Sequence, residues 1–75
     1  MIDKKIRDCL KKTFPKENVK KKITNLKIGS FKNWDSLAHL NLLILLEKSF
    51  KIKFSIEEMT SLKKISEIIK AIKNK

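Results

Sequence analysis

Residues 33–50 read N-W-D-S-L-A-H-L-N-L-L-I-L-L-E-K-S-F. Leu37, Leu40, Leu43, Ile44 and Phe50 recur at helical spacing, and Leu42, Leu45 and Leu46 widen that stripe past half the circumference. A helix this apolar is either central in its bundle or offers a face to something else. Asp35 or Ser36 begins it. Asp35 suits the cap, its carboxylate accepting from the N–H of Leu37 or Ala38. Ser36 then stands in the first turn, where backbone N–H groups have no intrahelical partner and favour negative charge, a phosphate especially. A hydroxyl there is well placed to carry a phosphoester. Asp-Ser is also a common helix start, and most such serines do nothing else.

Upstream, Ile2, Ile6, Leu10 and Phe14 recur at spacing four, with Cys9 and Thr13 beside them, which predicts an amphipathic helix. Pro15 stops it near Phe14. Residues 16–34 have no sustained period. A stretch of that length between helices is either disordered or packed back by its own apolar residues. Val19, Ile23, Leu26, Ile28 and Phe31 favour packing, with a short turn of helix near Val19 to Leu26. Downstream, K-I-K-F at 51–54 reads as a short extended piece. Ser55 opens S-I-E-E, a capping box that predicts a short helix over Ile56 to Met59. Thr60 or Ser61 caps a last helix whose buried stripe is Leu62, Ile65, Ile69 and Ile72, with Ile68 adjacent. The expected fold is all-α: a single domain over residues 1–75 with three long helices, one short helix and a long loop between the first two.

The chain has 75 residues and a formal charge of +11, from 19 basic and 8 acidic side chains. That length leaves no room for a dinucleotide fold or a second domain. One Cys excludes an internal disulfide and predicts a reducing, cytoplasmic setting. No apolar run approaches a membrane span, and no signal-peptide pattern is visible. The charge points first to nucleic acid, an anionic membrane or an acidic partner. Its make-up weakens that reading, because 18 of the 19 basic residues are Lys and only Arg7 is Arg. Bidentate grip on phosphates and bases favours Arg. Residues 1–34 carry a net +8 and residues 35–75 a net +3, while the stretch from Asn33 to Glu47 holds no Lys or Arg at all. The helix with the strongest apolar signal is thus the least basic. A Lys-rich helical nucleic-acid-binding protein remains the alternative reading.

Asp35-Ser36-Leu37, then Leu40, Leu43, Ile44 and Phe50, then I-K-F-S-I-E-E-M-T-S-L-K-K-I-S-E-I-I resembles the acyl carrier protein family. The likeness covers residues 31–72; residues 2–30 match only in layout. It implies a four-helix carrier that is not itself an enzyme. Ser36 would receive 4′-phosphopantetheine from coenzyme A through a phosphopantetheinyl transferase and Mg²⁺, with Asp35 and Leu37 completing the attachment motif. Acyl or aminoacyl groups would ride as thioesters on the arm between loading and transferring enzymes, at high effective concentration. The cleft lining implied for such cargo is Leu40, Leu43, Ile44, Leu46, Met59 and Ile65. The protein would be monomeric, with no membrane span and no nucleic-acid partner. Typical fatty-acid carriers display carboxylates on the second helix. Here that stretch offers Ala38, His39, Asn41 and Lys48, with Glu47 its one acid. Trp34 precedes the motif, and W-D-S-L-x-H-L resembles carriers of specialised routes: surface-polysaccharide, amino-acyl or secondary-metabolite.

Among the remaining residues, Cys9 reads as a buried structural thiol. His39 reads as an exposed helix residue with no further role, or as a contact for the phosphate arm or a partner. It has no companion at ligand spacing, so no metal site is expected. Trp34 packs its ring over the loop and the helix start, or contacts a partner. Met59 belongs to the core or the cleft edge, and Lys20-Lys21-Lys22 to a solvated loop.

Overall fold

The computed structural model describes residues 2–17, 19 and 23–75. Among them are four helices, α1 (Ile2–Thr13), α2 (Ser36–Phe50), α3 (Ile56–Ser61) and α4 (Ile65–Lys73), and no strand beyond an isolated antiparallel bridge between Lys27 and Lys64. Among the described residues no helix is long and apolar enough to cross a membrane. One cluster of buried side chains unites the chain. It takes Ile6, Cys9, Leu10 and Phe14 from the first helix region, Leu42, Leu43 and Leu46 from α2, and Ile65, Ile68, Ile69 and Ile72 from α4. Ile23, Trp34 and Phe54 enter it from the connections.

Of the spacing-four stripe of α1, Ile6, Leu10 and Phe14 are buried and Ile2 is half-buried, and α1 packs on α2. The helix ends at Thr13, with the Phe14 N–H still donating to the Leu10 carbonyl at 2.7 Å. Pro15 has no N–H to continue the ladder. Cys9 is buried and free, its Sγ 3.3 Å from Ser49 Oγ of α2. The loop that follows is packed back by its own apolar residues: Ile23 is buried, and Val19, Leu26, Ile28 and Phe31 lie against the core. The Leu26 N–H closes a turn on the Ile23 carbonyl at 3.0 Å. The rest of the expected helical turn near Val19, and the Lys20-Lys21-Lys22 run, lie outside the described residues.

The face that α2 buries differs from the stripe read in the sequence. His39, Leu42, Leu43 and Leu46 are buried, at i, i+3, i+4 and i+7. Leu37 is 67% exposed, and Leu40 and Ile44 are each 39% exposed. Residues 37–46 are apolar nearly all round, so burying one set of leucines gains about as much as burying another. The phase is set by a polar residue, His39, which reaches two fixed partners in the interior. At the far end Lys51 adopts left-handed backbone (φ 55°, ψ 46°), and its N–H closes on the Glu47 carbonyl. The Glu47 side chain then accepts from the Phe54 N–H at 2.8 Å. The segment 51–54 alternates as expected, with Lys51 and Lys53 exposed, Ile52 half-buried and Phe54 buried.

The capping box at Ser55 forms: its Oγ accepts from the Glu58 N–H at 3.0 Å, and Glu58 Oε1 accepts from the Ser55 N–H at 2.9 Å. That backbone bond, with Lys75 Nζ 2.9 Å from the same oxygen, holds the Glu58 carboxyl below its usual range. α3 runs two residues past Met59, so Thr60 and Ser61 end it and do not cap α4. Their hydroxyls donate to the carbonyl of Glu57. α4 begins only at Ile65, because the intervening carbonyls are taken: Leu62 O by His39 Nε2 and Lys63 O by the Ile28 N–H at 2.9 Å.

Candidate functional site

Ser36 is the first residue of α2 and is exposed. Asp35 caps the helix from extended backbone, its Oδ1 accepting from the Ala38 N–H at 2.9 Å, one of the two acceptances expected. The His39 N–H donates to the Asp35 carbonyl at 2.9 Å. The Ser36 and Leu37 N–H groups find no acceptor among the described residues. The helix therefore presents a hydroxyl beside unpaired donors at its positive end.

A pocket of ≈ 330 Å³ opens beside that hydroxyl, lined by Ile28, Ser36, His39, Leu40, Met59, Thr60 and Lys63. Leu40 and Met59 are thus brought to Ser36, as the cleft reading requires. Leu43, Leu46 and Ile65 are not: all three are fully buried in the core and line no part of this pocket. Ile44 lines a larger groove of ≈ 520 Å³ at the opposite end of α2, with Glu47, Lys48, Lys51, Ile52 and Lys53. Ser36 is not part of that groove, and half of its lining is lysine.

Two of the expected partner contacts lie in the interior. Trp34 is 2% exposed; its ring sits 5.1 Å from that of Phe14 and 5.5 Å from that of Phe31. It packs over the loop and the helix start, which excludes direct contact with a partner. His39 is 3% exposed, which overturns its reading as an exposed helix residue, and it lines the pocket beside Ser36. Trp34 Nε1–H donates to His39 Nδ1 at 3.0 Å, and His39 Nε2 lies 2.5 Å from the Leu62 carbonyl oxygen. An imidazole satisfied on both sides needs no water, and so it can be buried at little cost. Its spacing with Leu42, Leu43 and Leu46 is the sequence signal that would have found it. Ala38 is half-buried, whereas Asn41 and Lys48 are exposed and border a shallow hollow with Ile44.

Both carboxylates in the Lys-free stretch serve backbone N–H groups, Asp35 that of Ala38 and Glu47 that of Phe54. The outward face of α2 is therefore apolar and neutral along Leu37, Leu40, Asn41 and Ile44, and becomes basic only at Lys48 and Lys51. Ile28, Thr60 and Lys63 were not legible as pocket walls, since they arrive from segments with no shared period. No family model, curated protein or solved structure matches the chain.

Proposed function

We propose that this chain is an acyl or aminoacyl carrier with 4′-phosphopantetheine attached at Ser36. The observation that carries the reading is an exposed serine, in a D-S-L sequence at the start of α2, opening onto an apolar pocket walled by Ile28, Leu40 and Met59. The residues present suit the group. A phosphodiester on Ser36 Oγ lies beside the unpaired N–H groups of Ser36 and Leu37, which stabilise its charge. Asp35 commits Oδ1 to the Ala38 N–H, and Oδ2 has no partner among the described residues, so it can meet the Mg²⁺ that transfer requires. When bound, the arm supplies a terminal thiol that holds the cargo as a thioester. An acyl group leaving water meets Ile28, Leu40 and Met59 before the covered core residues Leu43, Leu46 and Ile65.

The carrier serves a specialised route rather than housekeeping fatty-acid synthesis. Enzymes that dock on displayed carboxylates find none free on α2, where Glu47 is bound to the Phe54 N–H. They find instead exposed Leu37, Leu40 and Ile44. The test is incubation with coenzyme A, Mg²⁺ and a promiscuous phosphopantetheinyl transferase, followed by intact mass. The expected result is one pantetheinyl arm, lost in Ser36→Ala. A folded sample that gains nothing overturns the carrier reading. Efficient malonylation and elongation by a general fatty-acid synthase would overturn the specialised one.

A further inference from the structure

The end of α2 remote from Ser36 carries the larger groove of ≈ 520 Å³, where Ile44 and Ile52 form the apolar lining and Lys48, Lys51 and Lys53 surround them with Glu47. A shallower hollow of ≈ 390 Å³ continues it toward α1, lined by Lys12, Thr13, Asn41 and Leu45. The two share Ile44 and Lys48 and so form one trough. Four lysines and one carboxylate line it among the described residues, and all four lysines are exposed. Counting Glu47 as an anion, and adding about half a negative charge for the end of the α2 dipole, leaves the trough cationic.

Lys51 supplies an independent observation. Its backbone is left-handed, with φ 55° and ψ 46°, a conformation that glycine adopts freely and a residue with a Cβ does not. Glycine would serve the turn better. The chain holds a lysine there, and its side chain walls the groove. Local backbone strain of this kind is kept where a side chain is used.

We propose that the trough docks an acidic amphipathic segment of a partner protein. Apolar side chains of that segment settle on Ile44 and Ile52, and its carboxylates meet Lys48, Lys51 and Lys53. The chemistry of the trough selects this occupant. A small ligand needs a site that covers most of its surface, whereas Ile44 is 39% exposed and the lysines stand open. An anionic bilayer takes up apolar groups that project, and these line a hollow. No arginine or aromatic ring lines the trough among the described residues, so bidentate phosphate grip and base stacking have nothing to use. A second copy of the chain, at net +11, is repelled. The inference stands whether or not Ser36 carries a prosthetic group.

The probe is a short fluorescein-labelled peptide with leucine at helical spacing and glutamate elsewhere. A scrambled peptide of the same composition is the control. At about 50 mM salt the amphipathic peptide is expected to bind more tightly than about 1 mM, to weaken as salt rises, and to move the backbone amide signals of Ile44, Lys48, Lys51, Ile52 and Lys53 in NMR. The scrambled peptide should bind roughly fivefold more weakly, and Ile44→Ala should cost a similar factor with the native peptide. Lys51→Gly/Lys53→Gln is expected to lose roughly fivefold or more in affinity while its thermal midpoint does not fall, because glycine relieves the backbone. Lys27→Gln/Lys70→Gln removes the same charge away from the trough and should lose less than about twofold. No binding at about 1 mM, signals that move elsewhere, equal binding of the scrambled peptide, or equal losses in the two double variants would each overturn the proposal. Anionic vesicles or duplex DNA that moved the same signals at lower concentration than the peptide would overturn it too, by giving the trough to a different partner.

Discussion

Glu47 is the one carboxylate on α2, and its role sets apart two views of this protein's surface. If it is a docking charge, it contributes little to stability. In the structure its Oε2 accepts from the Phe54 N–H at 2.8 Å, and its own carbonyl receives the N–H of Lys51 and of Ile52. The side chain thus closes the reversal that takes the chain from α2 to α3. A hydrogen bond to a charged acceptor contributes about 1.5–3 kcal/mol, and the acceptor here is half-buried. For a domain of this size each kcal/mol moves the thermal midpoint by about 4–8 °C. Glu47→Ala is therefore expected to lower the midpoint by roughly 10 °C, and Glu47→Gln, which keeps a neutral acceptor, by roughly half as much. Thermal unfolding followed by circular dichroism at low and high salt measures this. Removing an acid from a chain of net +11 also weakens long-range attraction, but salt screens that contribution and not a short hydrogen bond. The loss in Glu47→Ala should survive high salt. A midpoint change equivalent to less than about 0.5 kcal/mol, or one that vanishes in salt, would refute the role assigned to Glu47.

Leu43→Ala empties a fully buried site and is expected to cost about 2–5 kcal/mol, while Leu37→Ala, at 67% exposure, changes stability by less than about 0.5 kcal/mol; denaturant melts compare them. Asp35→Ala removes the acceptor of the Ala38 N–H and is expected to cost about 1 kcal/mol by the same assay, with Asp35→Asn milder. Glu58 has its folded-state value lowered, first by the Ser55 N–H and then by Lys75, so its contribution is complete above the ordinary carboxylate range and is lost as pH falls through the lowered value. Glu58→Gln should lower the neutral plateau of a stability–pH profile and flatten its acid limb, so that the two chains converge at low pH.

Where local chemistry decides structure, the sequence is readable. The spacing of Ile6, Leu10 and Phe14 places α1, Asp35 starts α2 and the Ser55–Glu58 pair starts α3, each through groups within a few residues of one another. The phase of α2 is different. Its leucines surround the axis, so periodicity alone selects Leu37, Leu40 and Ile44 as readily as Leu42, Leu43 and Leu46. The choice rests on His39 reaching Leu62, a bond spanning 23 residues. The start of α4 fails for the same reason: the Leu62 and Lys63 carbonyls are bound by residues from α2 and from the first loop. Of the candidate site, Ser36, Asp35, Leu40 and Met59 were readable because a motif and a capped helix carry them. Ile28, Thr60 and Lys63 complete the pocket from three separate segments, and Trp34 and His39 prove to be its internal support.

The account depends most on Ser36. Trypsin cuts after Lys32 and after Lys48, and the fragment of residues 33–48 between them contains Ser36 as its sole hydroxyl side chain. After treatment with coenzyme A, Mg²⁺ and a phosphopantetheinyl transferase, that fragment should gain the mass of one phosphopantetheine. Its unchanged mass in a folded, fully treated sample, or the added mass on any other fragment, would contradict the account.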